Sequence, residues 1–145
     1  MGFRFPLATV LRFRQGLEKR EELALKKVLL EIAQTRRRIE QLSADIARAE
    51  DERENALRRS ITAFQLQSML SEASAAIDRR RVLLESLVPL EQRRVQQMKA
   101  YQAAHRDRQM LSDMASRQRD AYEQDRTRAQ QKMLDDVFAS RAQRG

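Results

Sequence analysis

The 145-residue chain is 34% charged and 41% hydrophobic but only 5% aromatic, with 3 Gly, 2 Pro, 1 His and no Cys. That composition excludes thiolate chemistry, a disulfide framework and most enzyme architectures, because a layered globule of this length needs more turn residues and more aromatic and β-branched side chains. The formal net charge of +8 is a small excess of 29 Lys and Arg over 21 Asp and Glu, so anionic partners are permitted without being demanded.

The opening Met1-Gly2-Phe3-Arg4-Phe5-Pro6 lacks the uninterrupted apolar core of a signal peptide. No window approaches the roughly 18 apolar residues of a membrane span, and the chain reads as cytoplasmic. Myristoylation would need Ser or Thr where Pro6 stands. Gln, Arg, Glu, Ala and Leu dominate, residues that lose little rotamer freedom in a helix, so long helices are expected.

A first helix over about 6–59 is predicted, with proline tolerated in its first turn. A heptad runs through Leu25, Val28, Ile32, Thr35, Ile39, Leu42, Ile46, Ala49, Arg53 and Ala56. Upstream, Leu7, Val10, Leu11, Phe13 and Leu17 keep a helical stripe that drifts from seven-residue spacing, as a stutter would. Residues 1–20 carry five positive charges against the single Glu18, interleaved with Phe3, Phe5, Leu7, Val10, Leu11, Phe13 and Leu17. This basic amphipathic end suits a membrane surface or an acidic, apolar protein groove.

Ser60, Thr62, Ser68 and Ser71 accumulate where the periodicity lapses, and the chain is expected to reverse over about 60–72. Thr62 and Gln65 form a capping-box pattern, which places a short helix carrying Phe64, Leu66, Met69 and Leu70 at the bend. A second long helix follows over about 73–140. Its stripe passes through Ile77, Leu84, Leu87, Met98, Tyr101, Ala115, Tyr122, Ala129 and Met133, with polar interruptions at Glu91, Arg94, His105, Arg108, Ser112, Arg119 and Arg126. Pro89 removes one helical hydrogen bond, so a kink is expected there.

Neither stripe is stable in water alone. The predicted fold is therefore all-α: one coiled-coil domain over 1–145, an antiparallel two-helix hairpin in which Ile39 faces Met98 to within a turn. A hairpin of this kind has a thin core and a large surface, and its function is expected on that surface.

Candidate chemistry is sparse. His105 is the sole imidazole, next to Arg106 and Arg108, with no Cys or second His to complete a metal site. The acidic run Glu50-Asp51-Glu52-Arg53-Glu54 splays around a helix and does not converge on a cation. The glycines are Gly2, Gly16 and Gly145, and none stands in a phosphate-cradling loop. The runs Arg36-Arg37-Arg38 and Arg79-Arg80-Arg81 are diluted: residues 21–60 hold nine positive and nine negative charges. No catalytic residue, cofactor, metal or nucleic-acid partner is expected, and the protein is expected not to be an enzyme.

Phe3-Arg4-Phe5-Pro6-Leu7, Val10-Leu11-Arg12-Phe13-Arg14 and Glu18-Lys19-Arg20-Glu21-Glu22-Leu23-Ala24 closely resemble the opening of the FliJ family of flagellar export components. Arg128, Gln131-Lys132, Leu134 and Asp135-Asp136 resemble that family's close. The resemblance implies an antiparallel coiled-coil stalk that is not itself catalytic. Its free ends would enter the pore of the hexameric export ATPase, promote ring assembly and activity, and link the ring to the membrane export gate.

The expected ring contacts are Phe5, Val10, Leu11, Arg12 and Arg14 at one terminus, with Gln131, Lys132, Asp135 and Asp136 at the other. Phe64, Leu66 and Leu70 are the expected gate contacts. Export chaperones are further expected partners, and the expected location is the cytoplasmic face of the membrane at the flagellar base. An injectisome stalk or a nucleic-acid-binding coiled coil is the alternative.

Overall fold

The computed structural model describes residues 2–144. It contains two helices, α1 (Ala8–Arg58) and α2 (Ala63–Arg144), packed against each other, with no strand among the described residues. Pro6 precedes α1 in a turn, where the Phe5 carbonyl accepts from the Ala8 N–H at 3.1 Å. Arg58 closes α1 in its last turn, where a cation meets the negative end of the helix dipole.

α2 opens on a complete capping box. The Gln65 N–H donates to Thr62 Oγ1 and the Thr62 N–H donates to Gln65 Oε1, both at 3.1 Å. Ile61 and Leu66, both half-buried, occupy the two positions of a hydrophobic staple. This box starts α2 itself. The separate helix expected over 60–72 is absent, and the reversal takes only residues 59–62. Ser68 and Ser71 sit inside α2, exposed, and do not interrupt it. α2 also continues through Pro89, which is exposed, so the carbonyl of residue 85 that loses its donor lies on the watered side.

The chain forms two compact units, one over Glu22–Ala100 and one from the segments up to Glu21 and from Tyr101 onward. In the bend unit the buried side chains are Leu25, Val28, Ile32 and Ile46, all predicted heptad positions of α1. Burying each contributes about 1.5 to 3 kcal/mol. The facing stripe of α2 is half-buried and runs through Leu66, Met69, Ala73, Ala76, Arg80, Leu83, Leu87, Leu90, Arg94 and Gln97.

That stripe keeps Leu87 and Arg94 of the predicted pattern and corrects the column through Ile77 and Leu84. Ile77 and Leu84 lie one position to the side of Ala76 and Leu83 and are exposed, and the seam also carries Arg80 and Arg94, whose aliphatic stems pack while their heads reach water. Register is fixed by Arg36 to Glu91 at 2.6 Å, Arg93 to Glu31 at 3.3 Å and Arg80 to Ser43 at 3.4 Å. Ile39 therefore faces the stretch between Arg80 and Glu91, not Met98: the tight four-residue turn draws the register toward the bend.

In the terminal unit, Leu11, Arg14, Glu18 and Glu21 are half-buried in three-four spacing, opposite Tyr101, Ala104, Arg108, Leu111 and Ala115. There is no stutter. Polar residues share the seam with apolar ones here, and the exposed Leu7, Val10 and Phe13 lie outside it. Arg108 donates from Nε to Glu18 Oε2 at 2.6 Å, and Arg14 pairs with Asp107 at 3.2 Å. Ahead of α1, Phe3 packs on Tyr122 of α2, with ring centroids 5.7 Å apart. All described residues beyond it, 123–144, are exposed.

Candidate partner-binding surface

The predicted ring contacts fall into two groups that the structure does not merge. At the start of α1, Phe5 and Leu11 are half-buried, Val10 and Arg12 are exposed, and Arg14 is engaged by Asp107. Arg12 makes no ion pair among the described residues, which leaves it the freer of the two cations. Gln131, Lys132, Asp135 and Asp136 sit on the part of α2 beyond Tyr122, roughly 13 to 21 Å further along that helix. Gln131 Nε2 donates to Asp135 Oδ1 at 3.2 Å, so these two stabilise each other one turn apart.

Opposite that polar group, the same stretch of α2 presents Met133, Leu134, Val137 and Phe138, with Met133 68% and Phe138 65% exposed. The sequence reading missed this face by running the seam through Ala129 and Met133. Spacing of i, i+1, i+4 and i+5 was its signal, and all four side chains are exposed, with no described helix packed on them.

A hollow of about 540 Å³ opens beside the start of α1, lined by Phe3, Arg4, Phe5, Ala8, Leu11, Arg12, Ala115 and Arg119. The Arg119 guanidinium lies 5.9 Å from the Phe3 ring centroid, within cation–π range. Phe3 thus touches both Arg119 and Tyr122, pairings visible only once the helix register is known.

Among the expected gate contacts, Phe64 is 79% exposed in the first turn of α2 and Leu70 is exposed, while Leu66 belongs to the seam. Within the arginine runs, Arg36 pairs with Glu91 and Arg81 with Asp78 at 3.7 Å, while Arg80 donates to Ser43. His105 flanks the seam with Nδ1 at 3.6 Å from Glu18 and 3.4 Å from the Arg108 guanidinium, and its ring lies against Tyr101 at 6.0 Å. The Glu18 hydrogen bond raises the Arg108 pKa above the ordinary guanidinium value. Among the described residues no cluster of His, Cys, Asp and Glu could hold a metal ion, and no helix is long and apolar enough to cross a membrane.

A helical hairpin with an apolar heptad seam broken by charged residues, a tight capped bend and side chains carried on outer faces and termini defines a coiled-coil protein. The chain belongs to the FliJ family: the family model described as Flagellar FliJ protein matches residues 3–145. The family places it among flagellar protein-export components of the stalk type. No curated protein and no solved structure matches the chain.

Proposed function

We propose that the terminal unit is the part of the stalk that meets the hexameric export ATPase, promoting ring assembly and activity, and that the bend unit carries the link to the membrane export gate. The observation that supports this most is the stretch of α2 past Tyr122, which offers polar residues on one side and Met133, Leu134, Val137 and Phe138 on the other with no helix covering them. Exposed Val10 and Arg12 at the start of α1 add small apolar and charged contacts. Dispersed contacts of this kind hold a stalk without one deep hot spot, so neighbouring ring subunits can change shape in turn. Phe64 and Leu70 are the proposed gate contacts; Leu66 supports them from the seam. Export chaperones remain further proposed partners, at the cytoplasmic membrane face of the flagellar base.

The test is stimulation of the cognate ATPase. Arg12→Glu should weaken it, and more so as salt rises, because the remaining ionic contacts are screened over about 8 to 10 Å. Arg14 is a poorer choice, since its reversal would also oppose Asp107. The control is Arg37→Glu with Arg79→Glu on the exposed faces of the bend unit, which should leave stimulation intact. Equal loss in both variants, or no stimulation by the native chain, would remove the stalk reading.

A further inference from the structure

We infer that the hollow at the start of α1 binds an acidic, apolar peptide segment of a protein partner, gripped by Arg4, Arg12 and Arg119 over Phe3 and Phe5. This rests on the reading of the terminal unit as a partner contact and adds the chemistry of what is bound there. Three exposed arginines, Arg4, Arg12 and Arg119, line one concavity whose lining contains no carboxylate. Neither Arg4 nor Arg12 makes an ion pair among the described residues, and Arg119 is held only against the Phe3 ring. Ala8, the first residue of α1, also lines the hollow, and the first turn of that helix has no acidic residue. The positive end of the helix dipole therefore adds to the same uncompensated field.

The shape decides what kind of anion fits. A hollow of about 540 Å³ lies in the range of small binding pockets. Phe3 and Phe5 are half-buried and form part of its wall, so they offer contact to an apolar side chain and do not project outward as bilayer anchors would. The arginines share one concavity with two phenylalanines, which suits carboxylates beside apolar side chains better than a run of backbone phosphates. An extended segment alternating Glu or Asp with Leu or Phe satisfies both halves of the site.

The full chain would be titrated into a short fluorescein-labelled peptide alternating Glu with Leu and Phe, followed by anisotropy. Saturable binding is expected, weakened about tenfold or more by Arg12→Gln with Arg119→Gln. Phe3→Ala should weaken it comparably although every arginine is kept, and the peptide with Gln in place of Glu should bind poorly. Arg4 precedes α1, so Arg4→Gln reads the charge effect without touching a helix. Absent binding, or binding indifferent to these substitutions, overturns the inference. So does capture of phosphatidylglycerol vesicles or duplex DNA through the same arginines when the peptide is ignored. ATPase stimulation is read in parallel: stimulation without peptide binding removes this inference alone, whereas peptide binding without stimulation keeps the hollow and removes the ring.

Discussion

Glu18 and Arg108 face each other across the helix pair from two seam positions, joined by Nε to Oε2 at 2.6 Å and a second guanidinium contact at 3.4 Å, each side chain about one-fifth exposed. A charged pair in a coiled-coil seam contributes less net stability than apolar residues would, but it penalises every register that leaves one partner alone. A double-mutant cycle with Glu18→Ala and Arg108→Ala should return a coupling of about 1 to 3 kcal/mol by urea denaturation. The pair's response to alkali follows from its shift. Arg108 has a raised pKa in the fold, so the stability it contributes is complete below the ordinary guanidinium value and is lost only as pH rises through the still higher folded one. The difference between native chain and Arg108→Ala should therefore stay constant from about pH 8 to pH 10.

The bend unit makes a register prediction. Cysteines replacing Ser43 and Arg80 should be joined within one chain by a short bis-maleimide, because these side chains touch. Cysteines at Ile39 and Met98 should not. Efficient linkage of the second pair would move the turn by several residues and undo the observed packing.

Core and flank residues should separate cleanly in stability. Ile32→Ala removes one of the buried side chains and should cost about 2 to 4 kcal/mol. Ile77→Ala and Leu84→Ala change exposed positions and should each cost under about 1 kcal/mol. Thermal or chemical denaturation of the three variants decides it, and equal losses would restore Ile77 and Leu84 to the seam.

These contrasts show why α1 was readable from sequence and α2 only in part. In α1 the seam from Leu25 to Ile46 is written mostly in Leu, Val and Ile, so hydrophobic spacing and burial coincide. The capping box was equally legible, since Thr62 and Gln65 reach each other by local geometry alone. In α2, Arg80, Arg94, Gln97 and Arg108 occupy the seam while Ile77 and Leu84 stand beside it, so hydropathy points one position away from the packed face. Serines 68 and 71 then drew the bend too far along the chain, because helix propensity is weaker than the cap that starts α2 at Ala63. The site suffered from the same cause. Pairing Phe3 with Arg119 and Tyr122 needs the register, and periodicity through Met133 reveals a face without revealing whether anything covers it.

The cap itself is testable. Thr62→Ala removes the acceptor for the Gln65 N–H and should cost about 0.5 to 2 kcal/mol, whereas Thr62→Ser should be nearly neutral. Gln65→Ala should lose a smaller amount, since it leaves only the Thr62 N–H to water. Melting curves of the three chains, all made at one exposed turn, would show the order Ser, Gln65→Ala, Thr62→Ala from most to least stable.

The stretch of α2 after Tyr122 separates stability from function most sharply. Its described side chains, 123–144, are all exposed, so ending the chain after Tyr122 removes no buried packing. A helical segment of that length without a partner is only marginally stable in water, and its contribution to folding is correspondingly small. The truncated chain should melt within a few degrees of the native one, with ellipticity reduced by no more than the share of the residues removed. ATPase stimulation should nevertheless fall severely if this stretch contacts the ring. Two double variants divide the faces: Met133→Ser with Phe138→Ser removes the exposed apolar pair, and Lys132→Gln with Asp136→Asn removes one charge of each sign from the polar side while sparing Gln131 and Asp135, which hold each other. An apolar contact should be lost in the first variant and be insensitive to salt, whereas a charged contact should be lost in the second and weaken as ionic strength rises. Full stimulation by the truncated chain would move the ring contact to the start of α1, where Val10 and Arg12 would have to carry it unaided.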